Sequence, residues 1–356
     1  MGTGVVRRIA GAVVAAVLVV GVAACSESGP GGSSDTKAAK LGATDTFKLG
    51  VSLTFNNTDF WTSYISYQKQ FADKYHAKLI GPLVANNDSG KQVSDIRTLI
   101  AQGAQALVVN PVDSAAIAPA LDYAKSKGIP VVSVDVAPSA GDVYMIVRAN
   151  NELYGQESCD YIGAHAKSGT VAELQGDLSS LNGRDRSTAF EACMKQKYPK
   201  LRVVKYPTKW DTPTATTAAA TAMSTYKDLV GIYTQWSGPV SGIIQAEKSA
   251  GKFTKVGSAK HIMLVSNDGV PFEMKDIADG TLDATISQPA NLYAQYAVKY
   301  ARDALSGKTY AKGQQAASGA GPLVTVAKNL EDPIKAPLVT KDNVDDPHLW
   351  GNQAGK

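Results

Sequence analysis

In this 356-residue chain, apolar runs repeatedly stop at side chains that can hold a polar molecule. The run "LGVSLT" (49–54) leads into Asn56, Asn57, Phe60 and Trp61, "ALVVN" (106–110) into "PVDS", and "PVVSVD" (130–135) ends on Asp135. "DVYMIV" (142–147) precedes Arg148, Asn150 and Asn151, while "TVAEL" (170–174) precedes "QGDLSSLNGRDR", which ends at Arg186. Farther along, "RVVKYP" (202–207) is followed by Trp210 and Asp211, and "LVGIYT" (229–234) by Gln235 and Trp236. "IMLVSN" (262–267) is followed by Asp268, and "LDATIS" (282–287) by Gln288. Taken singly, Asn110, Asp113 and Asp211 read as turn formers or helix caps, and a Trp is more often core than ligand platform. The collection is different, because both halves of the chain end their runs this way. Carboxylates accept from hydroxyls, Arg donates a planar fork, and Asn or Gln does both, so neighbouring hydroxyls of a neutral polyol can be paired. A hydrogen bond to a charged group contributes roughly 1.5–3 kcal/mol. A few of them, with flat aromatics against C–H faces, reach micromolar affinity, about −8 kcal/mol.

Catalysis has little support in these residues. There is no Gly-x-Ser-x-Gly, no His-Glu-x-x-His and no Gly-x-Gly-x-x-Gly after a strand. "LSGKT" (305–309) has Arg302 where a phosphate loop requires glycine, and it closes a helix instead of opening one. Asp135 with Asp268 as an acid/base pair of the glycosidase kind is the enzyme alternative, and it is not the reading adopted. The four histidines are dispersed and no Cys-x-x-Cys occurs, so neither metal nor cofactor is expected.

The elements that position these side chains follow from the spacing of the runs. Between them lie amphipathic segments, for instance 59–76, 90–102 and 114–127, so strands and helices alternate as βα units do. The runs are apolar on both faces, as parallel strands covered on both sides are. Two consecutive doubly wound, Rossmann-like α/β sheets are the fold expected. In such sheets ligands bind beyond the carboxyl ends of the strands, which is where the polar residues fall. With 44% hydrophobic and 19% charged residues the chain can bury two cores, and its net charge of +4 is too mild and scattered for nucleic acid.

The N-terminus carries Arg7-Arg8, an apolar run from Ile9 to Ala24 and "VAAC" ending at Cys25. Residues 1–24 therefore read as an export signal, with an h-region short for a membrane span. The cysteine at its end resembles the lipobox of bacterial lipoproteins, with Cys25 the lipidated residue; an ordinary secretory signal is the alternative. Residues 25–45 are rich in Gly, Ser and small polar residues and read as a flexible tether. The protein is expected outside the cytoplasm, anchored to the outer face of the cell membrane. In that oxidising setting Cys159 and Cys193, each in an expected helix, are expected to pair, the alternative being two small buried thiols.

From about Phe47 to Gly351 the chain resembles the ribose-type periplasmic sugar-binding proteins, the solute receptors of ABC importers. The resemblance rests on "VSLTFNNTDFW", "ALVVNPVDS", "GIPVVSVD", "DYIGAHAKSGTVAELQG", "NGRDRSTAF", "LVSNDGVPFEMKDIADGTLDATISQ" and "PLVTKDNVDD", in that order. It implies the type I periplasmic binding protein fold: an N-terminal lobe of 46–149 plus 289–318, and a C-terminal lobe of 150–288 plus 319–350. A three-segment hinge joins them near 149–151, 288–290 and 313–322. It implies sugar contacts at Asn57, Phe60, Trp61, Asp135, Arg186, Trp210, Asp268 and Gln288. Three positions depart from the pattern. Val136 stands where ribose receptors carry arginine, Trp236 falls in a stretch where they carry asparagine, and Arg148 replaces a small residue. Arg148 and Trp236 join the expected ligand set on that ground, and the guest is expected to be a pentose, hexose or sugar alcohol, with ribose itself in doubt. A monomer delivering its guest to a membrane permease is implied, with a sensory receptor as the rival role. A repressor is excluded by the export signal and the missing DNA-binding head.

Overall fold

The computed structural model describes residues 1–2 and 40–354; the expected signal segment, Cys25 and most of the tether lie outside the described residues. The first lobe opens with β1 (Phe47–Leu53), α1 (Asp59–Lys74), β2 (Ala77–Val84), α2 (Ser89–Ala101), β3 (Ala106–Val109), α3 (Ala118–Ser126), β4 (Val131–Val134) and β5 (Met145–Ala149). The chain then crosses at 149–151 into α4 (Asn151–His165), β6 (Gly169–Gln175), α5 (Leu181–Lys197), β7 (Leu201–Pro207), α6 (Thr212–Thr225) and β8 (Leu229–Thr234). The second lobe continues with α7 (Val240–Ser249), β9 (Met263–Asn267), α8 (Pro271–Asp279) and β10 (Ala284–Ile286). At 287–290 the chain returns to the first lobe with α9 (Ala290–Leu305), β11 (Val324–Val326) and β12 (Asn329–Ile334), and at 335–337 it crosses again to β13 (Leu338–Val339) and α10 (Trp350–Gln353).

The first sheet has the order β11-β12-β5-β4-β3-β1-β2 and the second β13-β10-β9-β8-β6-β7. Pairing is parallel except for β11 on β12 and β13 on β10. The inner strands β3 and β4 are buried at every residue, which accounts for their uninterrupted apolar runs. At the edges, β2 and β7 mix half-buried and exposed positions. In each sheet the chain leaves its first strand on one side and returns on the other, so β1/β3 and β6/β8 form switch points where a crevice opens at the strands' carboxyl ends.

Two sequence expectations change. Residues 319–334 belong to the first lobe, because β11 and β12 extend its sheet with β12 parallel to β5, and the third crossing lies at 335–337 instead of 313–322. The strand "NLEDPI" was disguised by two acids that are buried: Glu331 is bonded to Arg148, and Asp332 accepts from Tyr300 Oη at 2.8 Å and from the Ser318 amide at 3.2 Å. The second change concerns residues 40–45, expected as the end of the tether, which dock on the last turn of α9. The Leu41 amide donates to Leu305 O at 3.1 Å, and Arg302 donates to the carbonyls of Ala43 at 2.6 Å and Asp45 at 3.0 Å.

Cys159 on α4 and Cys193 on α5 are joined by a disulfide. The two helices touch closely at Gly155, where an added Cβ would sit 2.2 Å from the Arg186 carbonyl, so only glycine permits the approach that carries Arg186 inward.

Candidate functional site

A cavity of about 620 Å³ lies between the carboxyl ends of the two sheets. The stretch "NNTDFW" forms one wall. Thr58 caps α1 by accepting from the Trp61 amide at 3.3 Å, which places Phe60 and Trp61 in the first helical turn and Asn57 in the loop before it. The two rings pack edge to face with centroids 5.1 Å apart, and both line the cavity. The opposite wall is supplied by Trp210 and Trp236, again edge to face at 5.4 Å. Gly176 at the end of β6 makes room for Trp210, since a Cβ there would lie 2.1 Å from the indole. Trp210 itself has φ 62°, a left-handed backbone that a bulky residue adopts only under strain. The Trp236 Nε1–H is buried and has no acceptor within the described residues.

The polar floor is built around two carboxylates and one guanidinium. Asp135 follows β4 with φ 65°, and Asp268 follows β9 with φ 112°. Both are non-glycine residues in the left-handed half of conformational space, held there by their surroundings. Asp135 Oδ1 accepts from Asn182 Nδ2 and Gln288 Nε2, each at 3.0 Å, and Oδ2 accepts from Asn110 Nδ2 at 3.2 Å. Burial pushes its carboxyl above the ordinary range, opposed by Arg186, the Asn182 amide, Arg148 and Asn110. Asp268 Oδ2 accepts from the Ser237 amide at 2.9 Å and the Ser237 hydroxyl at 2.7 Å. Burial raises it to about 6, against the pull of Arg186 and the two Ser237 donors. Its Oδ1 takes no hydrogen bond within the described residues and remains open to a guest.

Arg186, 3% exposed, is fixed from three sides. Nε donates to Asn151 Oδ1 at 2.6 Å, Nη2 to Gln288 Oε1 at 2.8 Å, and Nη1 to the Gln235 carbonyl. Its guanidinium lies over the Tyr154 ring at 4.6 Å and the Trp210 ring at 5.7 Å, contacts that help hold the fork in place. Rigid donors and acceptors lose little entropy when a guest arrives.

Of the residues singled out from the sequence, Asn57, Phe60, Trp61, Asp135, Arg186, Trp210, Trp236, Asp268 and Gln288 line this cavity, and Arg148 does not. Its guanidinium is turned aside to Glu331 at 2.6 Å and Asp185 at 3.1 Å, because β5 runs on to Ala149 and keeps Arg148 within the sheet. Asn110, taken as a turn former, is a cavity residue that also braces Asp135. Asn182 was passed over inside "NGRDR", and Ser237 inside "QWS"; an amide and a hydroxyl beside an arginine and a tryptophan gave no signal of their own. Asp211 does act as a helix cap, accepting from the Thr214 amide at 2.9 Å, while also standing at the cavity mouth. Asp113 is a turn former, accepting from the Ala115 and Ala116 amides in the turn that precedes α3.

The lobes also touch directly. The Leu181 amide donates to Ser114 Oγ at 2.9 Å, and Asn87 Nδ2 to Asp177 Oδ2 at 3.4 Å. Among the described residues the grouping with metal-ligand spacing is Cys159, Asp160 and Cys193, and its sulfurs are consumed by the disulfide. No described helix is long and apolar enough to cross a membrane.

Residues 49–309 match the family described as the periplasmic binding protein domain. The chain is 31% identical to the ribose import binding protein of Bacillus subtilis, over 78% of this chain and 87% of that protein. It is 26% identical to the xylitol-binding protein of Mycolicibacterium smegmatis, over 94% of this chain and 86% of that one. A solved ABC transporter solute-binding protein from Mycobacterium smegmatis with bound glycerol superposes with a TM-score of 0.73 at 24% identity, covering 84% of this chain and 96% of that one.

Proposed function

This chain belongs to the ribose-type periplasmic binding proteins, and on that premise we propose that it captures an uncharged monosaccharide or sugar alcohol between its lobes and hands it to the permease of an ABC importer. The family consists of substrate-binding proteins of extracytoplasmic location and not of enzymes. What supports the choice of guest is one observation: two buried carboxylates, a buried guanidinium and two aromatic pairs, drawn from both lobes, face one cavity. Hydroxyl groups can donate to Asp268 Oδ1 and accept from Arg186 and the Trp236 indole, while C–H faces lie against the rings. Val136 leaves the pair of acids with fewer buried cations than the ribose pattern supplies. A pentose, a hexose or an acyclic polyol all meet these demands, and the relatives named for ribose and xylitol fall within that range.

The mechanism follows from where the contacts lie. Gln288 on the second crossing bonds both Asp135 and Arg186, so the hinge itself is part of the floor. A guest that touches both lobes favours the closed arrangement by the difference between its affinities for closed and open forms. Closure then presents a surface composed of both lobes, which the permease reads. Lipidation at Cys25, outside the described residues, would keep this monomeric receptor at the membrane.

The test is calorimetry with pentoses, hexoses, polyols and amino acids on the purified protein. Saturable binding of a sugar or polyol supports the reading; binding confined to amino acids would mean that the acids and the guanidinium serve an ammonium and a carboxylate instead.

A further inference from the structure

Arg148 has a role that its absence from the cavity wall leaves to be explained. Its side chain is 7% exposed, and its partners come from both lobes. Nε donates to Glu331 Oε2 at 2.6 Å, on β12 of the first lobe. Nη1 donates to Asp185 Oδ2 at 3.1 Å and to Asn182 Oδ1 at 3.4 Å, both in the first turns of α5 in the second lobe. One guanidinium, just before the first crossing, therefore spans the lobes.

The Asn182 amide is held at both ends. Its oxygen faces Arg148, which can only donate, and its Nδ2 donates at 3.0 Å to Asp135, which when ionised can only accept. Turning the amide over would set its oxygen against a carboxylate and its N–H₂ against a guanidinium, losing both bonds. Arg148 thus dictates which face of Asn182 meets the ligand-facing Asp135, across the gap between lobes. Neighbouring charges do not supply this alternative: Asp185 is 20% exposed and Glu331 is committed to Nε.

We propose that Arg148 is a positioning residue, an interlobe latch that orients Asn182 toward Asp135 and biases the lobes toward closure before a guest is bound. The inference rests on the receptor reading of the cavity, yet half of its test needs no guest. Asp185→Ala removes one tie while leaving Arg148 paired with Glu331, so the fold is preserved. Interlobe distances from spin labels on the two lobes, measured without sugar, should shift toward larger separation in Asp185→Ala. Unchanged distances overturn the latch. The second half uses the sugar or polyol found by calorimetry. Arg148→Lys keeps a charge beside Glu331 but loses the fork, and should weaken binding on the order of tenfold, the size of one charge-assisted hydrogen bond. In an Asn182→Ala background the same change should have little further effect, since the residue it acts through is gone. Fully additive losses would reduce Arg148 to general structural support and overturn the proposal. If no sugar binds at all, the receptor reading fails, and the ligand-free distances still decide the latch.

Discussion

Asp268→Asn should move stability and affinity in opposite directions. Burial holds the Asp268 carboxyl at about 6, against an ordinary 3.8, so the folded protein without guest disfavours the charge that the unfolded chain accepts freely. Below about pH 4 both states carry the proton and the group contributes its full share to stability. As pH rises through the ordinary value the unfolded chain releases its proton first, and folding stability falls until the folded group also ionises near 6. A shift of about two units at 1.36 kcal/mol each is roughly 3 kcal/mol lost at neutral pH. Asparagine removes that loss, tolerates the left-handed backbone at this position, and keeps an oxygen for Ser237, although it gives up part of the paired acceptance at about 1 kcal/mol. The variant without sugar should therefore be more stable than the parent by about 2 kcal/mol at pH 7, the advantage disappearing by pH 4. Its sugar affinity should drop by roughly 1.5–3 kcal/mol, tenfold or more, because the hydroxyl bond to a full charge is lost. Chemical denaturation at several pH values, paired with calorimetry, reads both quantities. A variant destabilised equally at pH 4 and pH 7 would refute the reasoning, since the carboxylate would then be a net support of the fold and not a strained ligand group.

Other outcomes follow from the same geometry. In the parent, affinity for an uncharged guest should decline as pH is lowered through about 6, where Asp268 gains its proton; a flat profile from pH 7 to pH 5 by calorimetry would count against Asp268 as an acceptor. Replacing Cys159 and Cys193 together by serine should lower stability by about 3–4 kcal/mol, as expected for a bridge closing a 34-residue separation, and leave affinity unchanged because neither cysteine reaches the cavity. Trp210→Gly should relieve the left-handed strain and so leave the melting temperature nearly unmoved while binding weakens by about 1–2 kcal/mol; a collapse in melting temperature would make Trp210 a core residue and not a wall of the site. Cys25→Ser should move the protein from the membrane fraction to the soluble one, and continued retention would speak against a lipid anchor.

The reach of the sequence ended where a side chain's role depends on the exact length of a strand. Asp135, Asp268 and Gln288 were legible because each stands just past an apolar run, and parallel sheets gather such positions along one edge. Asn182 was not, because its value comes from touching Asp135 of the other lobe, a contact no local pattern encodes. Arg148 was misplaced for a related reason. The run was read as stopping at Val147, which put the arginine beyond the strand and facing the cleft, whereas β5 continues to Ala149 and directs the side chain from the sheet's face. That strand is buried at every residue, and a guanidinium there must find a buried acid. The acid comes from β12, where Glu331 lies opposite Ile146 and Pro333 opposite Arg148, so that Glu331 and Arg148 share a face. "NLEDPI", with two acids among its apolar residues, does not form one of the uninterrupted apolar runs by which the other strands are recognised. An arginine inside one apolar strand and an acid inside another short apolar segment predict each other as sheet neighbours, and that pairing puts β12 beside β5 and the third crossing after it.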